Sequence, residues 1–341
     1  MRDASALQRL RHIGVAATES RALRAAALAE IGRAVPFDAC VWLLTDPETS
    51  VGMSPLAWVP PSLMPELPRL IRLKYLTPVN RWTALSGAAR LDAPETSLVW
   101  RELLHAHGVT DVASLAFRDR YGCWAFLDLW RLGGTFTDGE LAFLDDVASL
   151  LTTHLRRCVA GCFQTEDRGT LEPGPVMLLL DAGLNVLGQT PRTGDYLARL
   201  LPDADPQPIP AAAYNVAAQL VAVENGVDAG PALARMHLAG GRWLTMRAAR
   251  LGPTFDQDAQ IAVTLEDSSL PDRTAVFARA CGLTARETEL LQQLTTGADT
   301  RTVATRMFLS ENTVQDHLKS IFDKTGTRSR RALLSRAAGT G

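Results

Sequence analysis

The sequence predicts a multidomain protein in which two α+β domains precede an all-α domain. The chain has 341 residues, more than one ordinary domain requires, and 47% of them are hydrophobic, which is enough for several cores. Apolar residues change between helical and strand-like spacing up to residue 267, and their spacing is helical from Leu283 onward. We therefore expect β-sheets only in the part of the chain that precedes the last domain.

The first α+β domain is expected to span residues 1–163. Its predicted elements are, in order, two helices between residues 4 and 35, strands at 37–45 and 55–59, helices at 63–75 and 99–106, strands at 109–117 and 123–131, and a closing helix at 138–162. The last two strands are joined by Asp119-Arg120-Tyr121-Gly122, a turn sequence that predicts a hairpin. Thr137 and Glu140 have the spacing of a capping box and predict the start of the closing helix.

The second α+β domain is expected to span residues 175–267. The polar segment 164–174, which contains glycine and proline, predicts a linker before it. Its predicted elements are a strand at 175–180, a turn at 181–185, a helix at 194–201, a proline-rich loop at 202–210, a helix at 211–224, strands at 232–238 and 243–251 joined through Gly240-Gly241, and a strand at 260–266. Residues 268–282 are predicted to connect this domain to the last one.

The last domain, residues 283–341, is predicted to consist of short helices that include a helix-turn-helix. One helix begins at Thr300, the turn is Phe308-Leu309-Ser310, and the second helix runs from Glu311 to Thr325. Ser310 is a candidate N-cap and Glu311 a favourable first-turn acid, because the N-terminus of a helix exposes unpaired N–H groups and a partial positive charge.

The second helix of this motif has two chemically different faces. Val314, Leu318 and Ile321 recur at helical spacing and predict the buried face. The opposite face carries polar or charged side chains, namely Asn312, Gln315, Asp316, Lys319 and Asp323. Amides can pair with adenine, lysine with guanine, and a carboxylate with the amino group of cytosine, so this face has the chemistry that major-groove reading requires.

A set of spaced positions extends through the whole of this last domain. These positions are Leu283-Thr284-Ala285-Arg286-Glu287, Leu290, Leu294, Gly297, Val303-Ala304, Ser310-Glu311-Asn312-Thr313-Val314, His317-Leu318, Ile321, Lys324, Gly326 and Ser329-Arg330. Through these positions, and not through one short motif, the domain resembles the LuxR-type (NarL/FixJ-type) DNA-binding domain of bacterial transcription regulators.

The resemblance implies that the helix at 311–325 enters the major groove. It assigns base reading to Gln315, Asp316 and Lys319, and Asn312 on the same face is a further candidate. Asp316 departs from the usual pattern, since its negative charge must pair with cytosine or be held off the groove by a neighbouring cation. Candidates for phosphate contacts, which position a protein without reading sequence, are Ser310, Thr313, Lys324, Arg328 and Arg330.

The two α+β domains resemble known sensor folds. The order of elements in residues 1–163, with the local sequence of residues 134–144 before the closing helix, is similar to a GAF domain. The order of elements in residues 175–267 resembles a PAS domain. Both folds enclose small ligands, which implies two candidate pockets for an unidentified ligand. A set of tryptophans forms either the lining of such a pocket or ordinary core: Trp42, Trp58, Trp82, Trp100 and Trp124.

Metal-binding and catalytic motifs find little support. His154, Cys158 and Cys162 recur every four residues along the closing helix, but the first and last are about 12 Å apart along its axis, which is too far to share one ion. Cysteines at apolar helical positions usually act as small buried hydrophobes. The sequence has no nucleophile elbow, phosphate loop, zinc-protease motif or kinase motif, so we expect no enzyme, no metal site and no cofactor.

Composition indicates the compartment and the partner. No apolar run is long enough to cross a membrane and MRDASALQRLRH is no signal segment, so we expect a cytoplasmic protein that does not bind membranes. Five scattered cysteines indicate reduced thiols. Nine Lys or Arg against six Asp or Glu from Leu283 onward give the last domain +3 in a chain of net charge −2. Because this charge is modest, we expect tight binding to double-stranded DNA to need a homodimer.

The sequence thus predicts a transcription regulator in which GAF-like and PAS-like domains sense a small molecule or partner and control the C-terminal helix-turn-helix. The alternative is a sensor adaptor whose C-terminal module docks a protein and not DNA, an interpretation that Asp316 and the modest basic charge favour. The two hypotheses differ in salt dependence, because DNA binding weakens with salt through counterion release.

Overall fold

In the part of the chain that the structure describes, two antiparallel sheets with their surrounding helices precede Ser268, and helices alone follow. The structure is a computed structural model that describes residues 2–163, 174–200, 210–238, 242–252 and 258–339. The predicted multidomain order of α+β parts and a helical C-terminus is confirmed. The predicted linker (except Gly174), the proline-rich loop (except Pro210) and the Gly240-Gly241 turn lie outside the described residues.

The first sheet is surrounded by helices. Its elements are α1 (Arg2–Ala16), α2 (Ser20–Ala34), β1 (Ala39–Thr45), β2 (Gly52–Trp58), α3 (Leu67–Leu76), α4 (Leu98–Glu102), β3 (Asp111–Asp119), β4 (Gly122–Arg131) and α5 (Asp138–Gly161). The strand order is β2-β1-β4-β3, and all neighbours are antiparallel. The prediction of one helix at 63–75 is wrong, because a 3-10 helix at Pro61–Glu66 precedes α3. Pro68 lies in the first turn of α3, where its missing N–H leaves no helical hydrogen bond unmade.

Helix α5 begins where the capping box predicts. The Thr137 hydroxyl accepts a hydrogen bond from the Glu140 N–H at 3.3 Å, and the Glu140 carboxylate accepts one from the Thr137 N–H at 2.8 Å. The helix packs against β3, α1 and α2, and it buries Leu144, Leu151 and Leu155 completely. These contacts within the chain hold α5 as the closing helix of the first sheet.

The second sheet contains one strand that the sequence did not predict. Its elements are β5 (Val176–Leu180), β6 (Val186–Gln189), α6 (Thr193–Leu200), α7 (Ala211–Glu224), β7 (Leu233–Leu238), β8 (Arg242–Arg250) and β9 (Ile261–Asp267). The strand order is β6-β5-β9-β8-β7, again antiparallel. Strand β6 is mostly exposed, so it lacks the alternation of buried and exposed residues by which a strand is recognised.

The two sheets share buried surface. Helix α7 packs against α3 and β2, and Phe126 of the first sheet belongs to the same buried cluster as Val216 of α7. Asp46, which is fully buried after β1, accepts hydrogen bonds from Arg235 of β7 at 2.7 Å through Nε and 2.8 Å through Nη2. Glu48 accepts a further hydrogen bond from Arg235 at 2.7 Å. The interface therefore combines apolar packing with a buried ion pair.

The predicted connector is itself a helix, α8 (Leu270–Ala280), and it joins the sheets to α9 (Ala285–Thr295), α10 (Thr300–Met307), α11 (Glu311–Thr325) and α12 (Arg330–Ala338). Helix α8 packs against α5, β7, α9 and α12. Arg273 of α8 donates a hydrogen bond to the Ala337 carbonyl at 2.9 Å, and Arg279 donates one to the Tyr121 carbonyl at 2.9 Å. Among the described residues, no helix combines the length and apolar character needed to cross a bilayer.

Candidate nucleic-acid interface

Helices α9 to α12 form a small module around an apolar core. Leu290 and Leu294 of α9 are buried with Val303 and Met307 of α10, and Leu333 of α12 completes this core. Helix α11 adds Val314, Leu318 and Ile321, which are 0%, 5% and 0% exposed, so the predicted buried face of α11 is confirmed. This packing fixes which side of α11 remains in solvent.

The turn between α10 and α11 is fixed at both ends. Phe308 ends α10 in the left-handed region with φ 56° and ψ 45°, and the Leu309 N–H donates to the Ala304 carbonyl at 2.9 Å. Ser310 then caps α11 as predicted, since its hydroxyl accepts a hydrogen bond from the Thr313 N–H at 3.1 Å. The first residue of α11 is therefore set by a capped turn that Leu309 anchors in the core.

The reading face of α11, which we define as Asn312, Gln315, Asp316 and Lys319, is exposed at all four positions. These residues recur at intervals of one to four along the helix, so their side chains project from one side of it. They present two amides, one carboxylate and one ammonium group next to the helix N-terminus, where partial positive charge favours an anionic partner.

The predicted phosphate-contact residues have unequal freedom in the structure. The Ser310 and Thr313 hydroxyls are hydrogen-bonded to each other at 2.8 Å, and Arg328 is exposed beyond the end of α11. Arg330 donates a hydrogen bond to the Ala298 carbonyl, and Lys324 forms an ion pair with Glu287. Lys324 and Arg330 were predicted to contact phosphates, but in the structure both have partners within the module.

Glu287 of α9 is the buried acceptor that ties α11 to α9. Its carboxylate accepts hydrogen bonds from Lys324 at 2.6 and 2.8 Å, from Ser320 at 2.6 Å and from the Thr284 N–H at 2.6 Å. Burial alone would raise the pKa of Glu287, but the hydrogen bonds from Lys324, Ser320 and Thr284 outweigh burial and hold this pKa at about 2. The carboxylate therefore stays ionised across the physiological pH range.

The sequence indicates the capping role of Glu287 but not its contacts with α11. Thr284 and Glu287 have capping-box spacing, and the structure contains that capping box at the start of α9. The partners Ser320 and Lys324 lie 33 and 37 residues further along the chain, so local spacing could not indicate them.

The remaining candidate residues are mostly structural. Cys158 is buried, and the Cys162 thiol donates to the Cys158 carbonyl at 3.4 Å. Burial, with a smaller contribution from Cys158, raises the pKa of Cys162 to about 11. Within the described ranges, no group of three or more His, Cys, Asp or Glu side chains is placed to hold a metal ion.

Of the five tryptophans proposed as pocket or core, Trp42, Trp82 and Trp124 are buried, whereas Trp58 is exposed.

A buried polar cluster also lies on the first sheet. Asp128, in the middle of β4, pairs with Lys74 at 2.8 Å and accepts hydrogen bonds from Trp82 at 3.0 Å and from Ser114 at 2.6 Å. Because a buried charge is tolerated only when it is paired, these contacts explain how Asp128 can be 1% exposed. The cluster links α3 to the sheet.

A capped, solvent-facing helix held against a second helix by a three-residue turn defines a helix-turn-helix module of the kind that reads DNA in the major groove. Residues 282–337 match the family described as "Bacterial regulatory proteins, luxR family", and this segment is a LuxR-family domain. The chain is also 33% identical over 88 residues to a probable HTH-type transcriptional regulator, GfsR of Streptomyces halstedii. That alignment covers 26% of this chain and 36% of the relative, so the chain spans about a third of the relative's length.

Likeness to solved structures is much weaker. A VqmA dimer from Vibrio cholerae is 18% identical with a TM-score of 0.21, and the match covers 50% of this chain and 84% of that one. SdiA in complex with octanoyl-rac-glycerol is 13% identical with a TM-score of 0.30, covering 92% of this chain and 86% of that one. At such low TM-scores, neither structure is evidence for the fold of the two sheets.

Proposed function

We propose that the protein is a transcription regulator that binds double-stranded DNA sequence-specifically through α11. The observation that carries this proposal is the open reading face of a capped helix within a LuxR-family domain. Proteins of this architecture act by binding, so the proposal includes no catalytic step and no cofactor. It places the protein in the bacterial cytoplasm, where its DNA lies.

Base reading is assigned to the reading face. Gln315 and Asn312 are suited to adenine, whose N6 and N7 form a donor–acceptor pair, and Lys319 is suited to the O6 and N7 acceptors of guanine. Asp316 can accept a hydrogen bond from the N4 amino group of cytosine. Each side chain is exposed, so each can reach a base without rearrangement of the module.

Phosphate contacts are assigned to Ser310, Thr313 and Arg328, because their hydroxyl and guanidinium groups are near the N-terminus or just beyond the C-terminus of α11. We assign Lys324 and Arg330 a smaller part in phosphate binding. Since their charged groups bond to Glu287 and to the Ala298 carbonyl, we propose that they mainly hold the module together. A smaller number of phosphate contacts per copy strengthens the case for two copies on one operator.

The proposal for the upstream parts is that residues 1–163 form a GAF-like domain and residues 175–267 a PAS-like domain. Support comes from the observed order of helices, antiparallel sheet and long closing helix in the first, and from the five-stranded antiparallel sheet in the second. In this proposal residues 164–174 are a linker, 268–282 the connector and 283–341 the DNA-binding domain. A small molecule or a protein partner is the proposed signal.

The proposed active form is a homodimer on DNA. Two recognition helices would then lie about 34 Å apart, one turn of the duplex, and a signal changes DNA affinity only if it prefers one of two arrangements. Light scattering of the full chain on its selected operator should give a mass of two chains per duplex. A single chain per duplex at saturation would contradict this part of the proposal.

A salt titration of the full chain tests the proposal against the adaptor hypothesis. The full chain is incubated with a random pool of labelled duplexes, bound fragments are selected, and the affinity for the best fragment is measured over a range of salt concentrations. DNA binding predicts a linear fall of log affinity with log salt and selection of a common sequence. If no duplex is retained at low salt, a module that docks a protein through Asp316 becomes the better hypothesis.

A further inference from the structure

Phe308 is an unusual residue for the place it occupies in the turn. Its φ of 56° puts it in the left-handed region, which a residue with a Cβ adopts at an energetic cost and which glycine adopts freely. The Phe308 side chain is 95% exposed, whereas the next most exposed large hydrophobic side chain in the described residues, Val15, is 61% exposed. Among the residues that the structure describes, no packing against the ring compensates for the backbone strain of Phe308.

The turn holds Phe308 in one position. Its N–H donates to the Thr305 carbonyl at 3.3 Å, and the next residue, Leu309, is half-buried against the module core. Ser310, two residues on, is the cap of α11. The ring is therefore presented from a fixed backbone directly beside the N-terminus of the recognition helix, and binding would require little ordering of this backbone.

The neighbouring exposed residues indicate what covers the ring. Arg301 and Thr305 lie four residues apart on one side of α10, the helix that ends just before Phe308, and both are exposed. The Thr305 hydroxyl donates a hydrogen bond to the Arg301 carbonyl at 3.0 Å. An exposed cation on α10 suits the phosphates of a DNA strand, and the exposed ring beside the N-terminus of α11 suits its apolar parts. Because Phe308 begins the turn into α11, the duplex proposed for the reading face is the partner nearest to the ring.

We propose that Phe308 packs on the DNA duplex next to the bases that α11 reads, against a deoxyribose or the methyl group of a thymine. Phenylalanine is among the side chains that contact the thymine methyl group in the major groove. The inference rests on the proposed function, since it assigns the ring a place on DNA that α11 must first bind. In this arrangement the ring is buried only in the complex, which explains its exposure in the free chain.

The test compares Phe308→Gly and Phe308→Asn with the wild-type full chain. Glycine and asparagine both tolerate the left-handed backbone, so both variants should unfold at the same or a higher temperature than wild type. Both should nevertheless bind the selected duplex of about 30 base pairs about tenfold more weakly, the loss expected for one buried aromatic ring. Phe308→Leu should keep part of the affinity. Val15→Ala, a change at another exposed hydrophobic residue far from α11 in sequence, should leave affinity unchanged.

Salt dependence distinguishes an apolar contact from an ionic one. The affinity of Phe308→Gly should fall with salt along a line parallel to that of wild type, whereas Arg301→Ala should reduce the slope by about 1. If Phe308→Gly binds the duplex as tightly as wild type, the inference is overturned while DNA binding stands. If wild type binds no duplex at low salt, the proposed function itself fails, and the two results cannot be confused.

Discussion

Replacing Glu287 with glutamine should destabilise the helix-turn-helix module at neutral pH. The substitution keeps the shape of the side chain but replaces the charged carboxylate, whose oxygens accept hydrogen bonds from Lys324 and Ser320, with a neutral amide. The wild-type carboxylate has a pKa of about 2 in place of its ordinary 4.5. That difference corresponds to about 2 to 3 kcal/mol of module stability, the lower figure allowing for water around the partly exposed Lys324.

The pH dependence follows from the direction of the change in pKa. Because the pKa of Glu287 is lowered by folding, its contribution to stability is fully present above about pH 5 and is lost as the pH falls toward 2. The stability difference between wild type and Glu287→Gln should therefore be constant from neutral pH down to about 5 and fall to less than half by about pH 3.

Hydrogen exchange of the α11 amides in the full chain measures this difference, since it reports local opening of the module rather than unfolding of the sheets. Glu289→Gln is the matched control, because Glu289 lies on the same helix and its ion pair with Arg286 is exposed. That variant should differ from wild type by less than about 0.5 kcal/mol. A difference for Glu287→Gln that equals the control, or that persists unchanged at pH 3, would refute the ionic explanation.

Three further substitutions test other parts of the structure. Lys319→Ala should weaken binding to the selected operator more than to random duplex, by about 1 to 3 kcal/mol in a competition assay, and an equal loss on both would make Lys319 a phosphate contact. Asp316→Ala should relax base preference at one operator position in a repeated selection, and an unchanged preference removes Asp316 from the reading face. Asp46→Ala leaves Arg235 buried without its main partner and should cost about 3 to 5 kcal/mol in thermal unfolding. Glu48→Gln, which alters the exposed partner of the same arginine, should cost less than about 1 kcal/mol and serves as control.

Local signals in the sequence were sufficient for most single elements. The capping box of α5 and the bounds of α7 agree with the structure, because hydrophobic spacing and cap residues act over one or two helical turns. Strand β6 escaped prediction because an exposed strand lacks alternation. The reading face, in contrast, could be predicted from local spacing, because Val314, Leu318 and Ile321 determine which side of α11 is buried.

Contacts between distant segments were not predictable from spacing. Lys324 has the chemistry of a phosphate contact, but its partner Glu287 lies 37 residues earlier, and only the folded module brings the two together. The shared core of the two sheets depends on α7 meeting β2, a contact between segments that read as separate domains. The left-handed backbone of Phe308 likewise depends on the geometry of the whole turn, and its residue type gives no indication of it.

Helix α8 has a consequence for how any signal could travel. It touches α5 and β7 on one side of the connection and α9 and α12 on the other, and Arg273 and Arg279 bond it in both directions. Helix α8 is 11 residues long and contacts both parts of the chain, so we expect a movement of either sheet to tilt α8 together with α9 and α12. In the proposed DNA-bound homodimer, a tilt of α8 would change the distance between the two copies of α11 and so connect the proposed signal to DNA binding.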